Sequence, residues 1–136
     1  MNCALCEKND ETMLWQDRFC RVILAREADY PGLCRVIPQR HVKEMTDLST
    51  AEQTRLFLVV MAVEATLREV MAPDKINLAS LGNVVPHLHW HVIPRYADDR
   101  HFPEPIWGQA RRDAAPRHAA AALEKDLRRV LNGKLT

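Results

Sequence analysis

Along residues 87–95, imidazoles alternate with large apolar side chains: His87, His89 and His91 against Leu88, Trp90 and Val92. A period of two predicts a β-strand, because successive side chains of a strand point to opposite faces. One face would then carry three imidazoles roughly 6–7 Å apart, and the other would carry the apolar residues. Upstream, the apolar runs 19–24 and 33–37 flank Asp29-Tyr30-Pro31-Gly32, a turn-forming stretch, so a β region spans about 13–38 and closes at Pro38. At Ser49 the period changes. Ser49 and Glu52 fit a capping box, and Leu56, Val59, Val60, Val63 and Leu67 follow at the spacing of one helix face. Met71-Ala72-Pro73-Asp74 ends that helix. A strand over 75–81, a Gly82-Asn83 turn and the histidine strand come next, and residues 97–108 read as an extended loop. A last helix begins near Pro116, carries Leu123, Leu127, Val130 and Leu131 on its apolar stripe, and stops at Asn132-Gly133. The order β-β-α-β-β-α predicts an antiparallel sheet with helices against it, an α+β fold.

Length and charge narrow the function classes. A chain of 136 residues reads as one domain over 1–136. A net charge of +1 provides no overall field for nucleic acid or a membrane surface, and the arginines, spread along the chain, read as solvated. The longest apolar run, residues 56–63, is too short to cross a bilayer, and the N-terminus lacks a signal pattern. A cytoplasmic protein is therefore expected, with its four cysteines as free thiols or metal ligands.

Three of the six histidines fall within five residues, which points to acid/base, nucleophilic or metal chemistry. A neutral imidazole can attack phosphorus and form a P–N bond that water later cleaves, dividing a hard transfer into two steps. Zinc is the rival. Three histidines on one straight strand span about 13 Å, too far for one ion about 2 Å from each nitrogen. Cys3-Ala4-Leu5-Cys6 has the spacing of a metal half-site, whereas Cys20 and Cys34 lie in apolar runs and read as core.

The alternation His-φ-His-φ-His-φ-φ at 87–93, with φ apolar, resembles the motif of the histidine triad (HIT) family of nucleotide hydrolases and transferases. The likeness extends through Asn77-Leu78-Ala79-Ser80-Leu81-Gly82-Asn83, Ile93-Pro94-Arg95, the Pro31-Gly32 turn and Pro38-Gln39-Arg40-His41, about residues 3–108 in all. Residues 109–136 would be a C-terminal helical extension. The resemblance implies a five-stranded antiparallel sheet with two main helices, usually in a homodimer. It implies that His89 attacks an α-phosphorus, that His91 contacts the phosphate and that His87 orients the site. No cofactor is needed for that chemistry. Asn77 would face the phosphate, the loop Gly82, Asn83, Val84 and Val85 would offer backbone N–H groups, and Trp107 would stack on a base or pack at a dimer edge. Arg95 lies within reach of phosphate, whereas His101 reads as an ordinary loop residue.

Substrates implied are nucleoside phosphoramidates, dinucleoside polyphosphates or adenylylated small molecules; the alternative is a non-catalytic nucleotide-binding module of the same fold. Some members bear a similar N-terminal cysteine pair that binds structural zinc, and in the wider superfamily the remaining ligands would correspond to His41 and His87. Two readings of Cys3, Cys6, His41 and His87 stand: a zinc site, or a reduced terminal pair with His87 bonded only to protein. Two departures concern the nucleotide. Ala25 stands where the family often has an Asp or Asn on the ribose, and Val84 where it often has a hydroxyl.

Overall fold

The computed structural model describes residues 3–136. Strands β1 (Thr12–Gln16), β2 (Cys20–Leu24), β3 (Cys34–Pro38), β4 (Lys75–Ala79) and β5 (Trp90–Arg95) form one sheet in the order β1-β2-β3-β5-β4. Every neighbouring pair is antiparallel. Two long helices, α2 (Thr50–Met71) and α3 (Ala120–Leu135), cover one face, with α2 against β3 and β5 and α3 against β1 and α2. A single turn, α1 (Ala4–Glu7), precedes the sheet. The α+β class and the five-stranded sheet agree with the sequence pattern.

Helix α2 forms where the pattern places it. Ser49 Oγ accepts from the Glu52 N–H, and the Glu52 carboxylate accepts from the Ser49 N–H, so two otherwise unpaired donors of the first turn are satisfied. Leu56, Val59, Val60, Val63 and Leu67 are all buried in the main core, with Val22, Val36 and Val92 from the sheet. The chain enters β3 through a tight turn, where Leu33 N–H donates to the Tyr30 carbonyl across Pro31 and Gly32. Gly32 has φ +97°, a left-handed value that favours glycine at this position of a type II turn.

Four details differ from the pattern. Three strands, not two, fill the first β region, because a bulge between Met13 and Trp15 breaks the alternation of β1 and hides its period. Helix α3 starts at Ala120 rather than Pro116 and runs through Asn132 and Gly133 to Leu135. There the Asn132 amide is not a stop: it donates to the Leu14 carbonyl and ties the helix to β1. Val130 is only half-buried, while Leu123, Leu127 and Leu131 form the stripe. The histidine strand begins at Trp90, since β3 pairs with β5 only from Cys34–Val92 to Val36–Trp90. Before that, Leu88 N–H is taken by the Val42 carbonyl beyond the end of β3, so His87 and His89 sit in an irregular lead-in.

Alternation along the strands also defines the second face, opposite the helices. Two small apolar clusters cover it. Ile23 and Ile37 pack with Cys3 and Leu5, and Ala25, Leu33 and Ile93 pack with Tyr30 and Ile106. Two arginines are buried here, contrary to the solvated reading. Arg21 is fully buried and binds Glu11, Gln39 and the Leu5 carbonyl. Arg95 is 1% exposed and equally well bonded.

Candidate active site

Two of the three imidazoles face each other on the second sheet face. The His89 and His91 rings meet nearly at right angles, 4.9 Å between centroids, closer than the even row the alternation suggests. His89 Nδ1 lies 2.6 Å from the His87 carbonyl oxygen. A carbonyl only accepts, so Nδ1 carries the proton and Nε2 keeps its lone pair. Ser80 Oγ donates to the His89 carbonyl at 2.9 Å and helps fix the backbone. Burial holds the His89 pKa below its ordinary value, with the Arg35 charge adding to the effect. Burial, the neighbouring His89 and Arg35 push His91 down to about 4. Both rings are therefore neutral near pH 7. His91 Nδ1 is buried and has no hydrogen-bond partner among the described residues, and the half-exposed Trp107 ring stands edge-on to His91 at 5.0 Å.

His87 belongs to a different group. Its ring is fully buried and turned away from the other two. Nε2 donates to the Pro38 carbonyl at 2.8 Å, which leaves the Nδ1 lone pair aimed inward. That nitrogen is 3.4 Å from Cys3 Sγ, 3.4 Å from Cys6 Sγ and 3.2 Å from His41 Nδ1, and Cys6 Sγ is 3.3 Å from His41 Nδ1. All four ligand atoms lie within 4.8 Å of one another. A tetrahedral ion with nitrogens near 2.0–2.1 Å and sulfurs near 2.3 Å would set such atoms about 3.3–3.8 Å apart. The donor set and spacing fit a metal ion, and these four residues could hold one. Arg21 supplies the frame, because its guanidinium holds the Leu5 carbonyl between the two cysteines. Cys20 and Cys34 remain apart in the core, their thiols pushed up to about 12 by burial.

The remaining sequence candidates are distributed around this centre. Asn77 shares the second face, but its Oδ1 accepts from Arg95 Nη1 at 2.8 Å, leaving the amide nitrogen as its donor. In the loop after β4, Gly82 has φ +70°, the Val84 side chain is 93% exposed, and Val85 packs against the Ile23–Ile37 cluster. An open hollow of about 500 Å³ beside β4 is lined by Asn77, Ala79, Ile93, Pro105, Ile106 and Trp107. A hollow of about 340 Å³ near Tyr96 and Arg117 is lined by none of the triad. His101 Nδ1 meets the Tyr30 hydroxyl at 2.7 Å, as a packed loop residue would.

Arg95 is taken up by protein partners. Asp99 holds it bidentately at 2.8 and 3.0 Å, the Glu104 carbonyl accepts at 2.8 Å, and the guanidinium lies between the Tyr30 and Phe102 rings. It secures the loop that carries Trp107. Sequence reasoning missed this hub, and it missed Arg35, which pairs in register with His91. For Arg35 a signal was available: alternation in 33–37 sets it opposite Cys34 and Val36.

A family model described as HIT domain matches residues 7–98. The chain is 38% identical over 74 residues to a bis(5′-nucleosyl)-tetraphosphatase (asymmetrical) of Schizosaccharomyces pombe, a match covering 51% of this chain and 41% of that protein. The matched part thus spans about two-fifths of that relative's length. Among solved structures, a histidine triad protein of Bradyrhizobium japonicum is 30% identical with a TM-score of 0.77, covering 96% of this chain and 94% of that one. A zinc-bound histidine triad family protein of Mycobacterium smegmatis, 22% identical, shares the fold at a TM-score of 0.73 over 98% of this chain and 95% of its own.

Proposed function

The chain belongs to the histidine triad family, and from that membership and its site geometry we propose that it cleaves nucleotides at an α-phosphate through a nucleotidyl–His89 intermediate. The observation that carries the reading is the hydrogen bond from His89 Nδ1 to the His87 carbonyl, which leaves Nε2 as a free lone pair beside His91. In the first step the Nε2 lone pair forms a P–N bond, and the bond to the leaving group breaks with its electron pair going to the departing oxygen or nitrogen. In the second, water attacks phosphorus, the P–N pair returns to Nε2, and a water proton passes to solvent. His91 contacts the phosphate, with backbone N–H groups of Asn83, Val84 and Val85 and the Asn77 amide as further donors. Trp107 covers the nucleoside side, next to the hollow along β4. Dinucleoside polyphosphates are the favoured substrates, given the activity named for the S. pombe relative. Phosphoramidates and adenylylated small molecules fit the same step.

In this reading Cys3, Cys6, His41 and His87 hold a structural zinc that pins the N-terminus to the sheet and orients His87. The His87 ring then contacts no substrate, and His87 acts through its carbonyl. The protein works as a homodimer: Phe57, Leu58 and Met61 on α2 and Leu78 on the edge strand β4 are exposed apolar residues, and a second copy would cover them. Among the described residues no helix is long and apolar enough to cross a membrane.

Single-turnover incubation with labelled diadenosine tetraphosphate tests the chemistry. An acid-labile adduct on the wild type that is absent from His89→Ala is expected. Turnover that survives the loss of His89, or nucleotide binding with neither adduct nor turnover across adenosine and guanosine substrates, refutes it.

A further inference from the structure

Strand β3 and the Leu33 just before it project Leu33, Arg35 and Ile37 onto the second sheet face. Leu33 disappears into one apolar cluster and Ile37 into the other. Arg35 stands between them with its side chain 30% exposed, in the gap where His91 is found. The two residues are paired in register, and side chains directly opposed across an antiparallel pair start roughly 4.5–5.5 Å apart.

The other two arginines of this face show how an arginine kept for structure is treated. Arg21 and Arg95 are fully buried, and each makes several hydrogen bonds, two of them to one carboxylate. Arg35 is not satisfied in this way. Its Nε is buried without a hydrogen-bond partner among the described residues. Its ion pair is with the half-exposed Glu27 at 3.9 Å, beyond hydrogen-bond reach. Leaving a charged donor unsatisfied in a sheet is costly, and the cost is recovered if a ligand supplies the acceptor. A guanidinium presents five N–H donors in a planar fork that matches phosphate oxygens.

The charge balance of the site points the same way. Burial pushes His91 down to about 4, so it brings no full positive charge to a phosphate. Expulsion of a polyphosphate leaving group nevertheless concentrates negative charge on its departing oxygens, where a fixed cation is most effective.

We propose that Arg35 is a substrate-binding residue that grips the non-bridging oxygens of the leaving phosphates, next to the α-phosphate that lies over His89 and His91, and so selects substrates whose leaving group is itself a charged phosphate. On binding, the guanidinium leaves Glu27 to solvent and turns its fork toward the imidazoles. The inference rests on the nucleotide-cleaving reading above, but the Arg35 contact can be tested without turnover.

Two variants serve: Arg35→Met keeps the stem that separates the clusters, and Arg35→Lys keeps the charge without the fork. With diadenosine tetraphosphate, kcat/KM should fall about 30-fold in Arg35→Met, the scale of a hydrogen bond to a charged group. With adenosine 5′-phosphoramidate, whose leaving group is uncharged ammonia, the fall should be at most a few-fold. Arg35→Lys should lie between the two. In a His89→Asn background, isothermal titration should show ADP binding about tenfold weaker when Arg35→Met is added. Equal losses on both substrates, or ADP affinity unchanged by Arg35→Met, would overturn the proposal. Absence of turnover on either substrate in the wild type would instead count against the catalytic reading, while the ADP arm still decides on Arg35.

Discussion

Asp99→Asn should cost about 2–4 kcal/mol of stability near pH 7, and much less near pH 2. The Arg95–Asp99 pair is 2% and 10% exposed at its side chains, so little solvent screening reduces the interaction. Burial alone would raise the Asp99 pKa. The guanidinium of Arg95 and the backbone N–H groups of Tyr96 and Phe102 more than offset that and hold it at about 2, against an ordinary value of 3.8. A difference of about two units corresponds to about 2.5 kcal/mol, and breaking a buried pair from one side costs about 3–5 kcal/mol. Asparagine retains an oxygen for the backbone donors, which places the expectation toward the lower range. Because the folded pKa is depressed, the contribution is complete above the ordinary carboxylate pKa and disappears as pH falls through about 2. Urea unfolding followed by tryptophan fluorescence should therefore show a gap between wild type and variant that narrows steadily below about pH 4. Acid displacement of any metal affects both proteins and cancels in the difference. A gap that is constant across this range, or smaller than about 0.5 kcal/mol at neutral pH, refutes the assignment of Arg95–Asp99 as a buried, charged hub.

Protein never exposed to chelator or nickel resin should carry one zinc per chain by elemental analysis, and Cys3→Ser or Cys6→Ser should lose it; a stoichiometry near zero in the wild type refutes the site. Trp107→Ala should raise KM about tenfold while leaving the unfolding midpoint nearly unchanged, because the ring is half-exposed and stacks only edge-on against His91. Gly32→Ala should destabilise by more than about 1 kcal/mol in thermal unfolding, since φ is +97° and a Cβ would lie 2.4 Å from Met71 Sδ; a neutral result would mean the turn relaxes. Leu58→Glu should shift the light-scattering mass to a monomer, and an unchanged mass would place the dimer contact elsewhere.

What the sequence disclosed depended on whether the pattern was local. The α2 stripe and its Ser49–Glu52 cap could be read because helix periodicity and capping involve residues three and four apart. Alternation at 87–93 carried the family resemblance and assigned Leu88 and Val92 correctly to the core. Where a residue's partner is distant along the chain, alternation was misleading. His87 belongs with Cys3, Cys6 and His41, 46 and more positions away, and the histidine ladder is interrupted because Val42 takes the Leu88 N–H. The β1 bulge erased a period of two in a five-residue strand. Arg21 and Arg95 looked like surface charges because nothing near them in sequence announces Glu11 and Asn77 across the sheet; only Asp99, four residues from Arg95, was within local reach.

The two ends of His87 point to different places: its ring to the cysteines and its carbonyl to the His89 proton. On the proposed chemistry, histidine scanning of the triad would therefore return three inactive proteins for two unrelated reasons. His89→Ala removes the attacking atom. His87→Ala keeps every group that faces phosphorus and loosens the peptide that dictates which nitrogen of His89 bears hydrogen. Such a variant would look like a failed catalyst in a rate assay and like a failed fold in a metal assay. An exchange at His41 or Cys6 separates the two, because it removes a metal ligand while the His87 ring keeps its hydrogen bond to the Pro38 carbonyl and so its hold on the peptide.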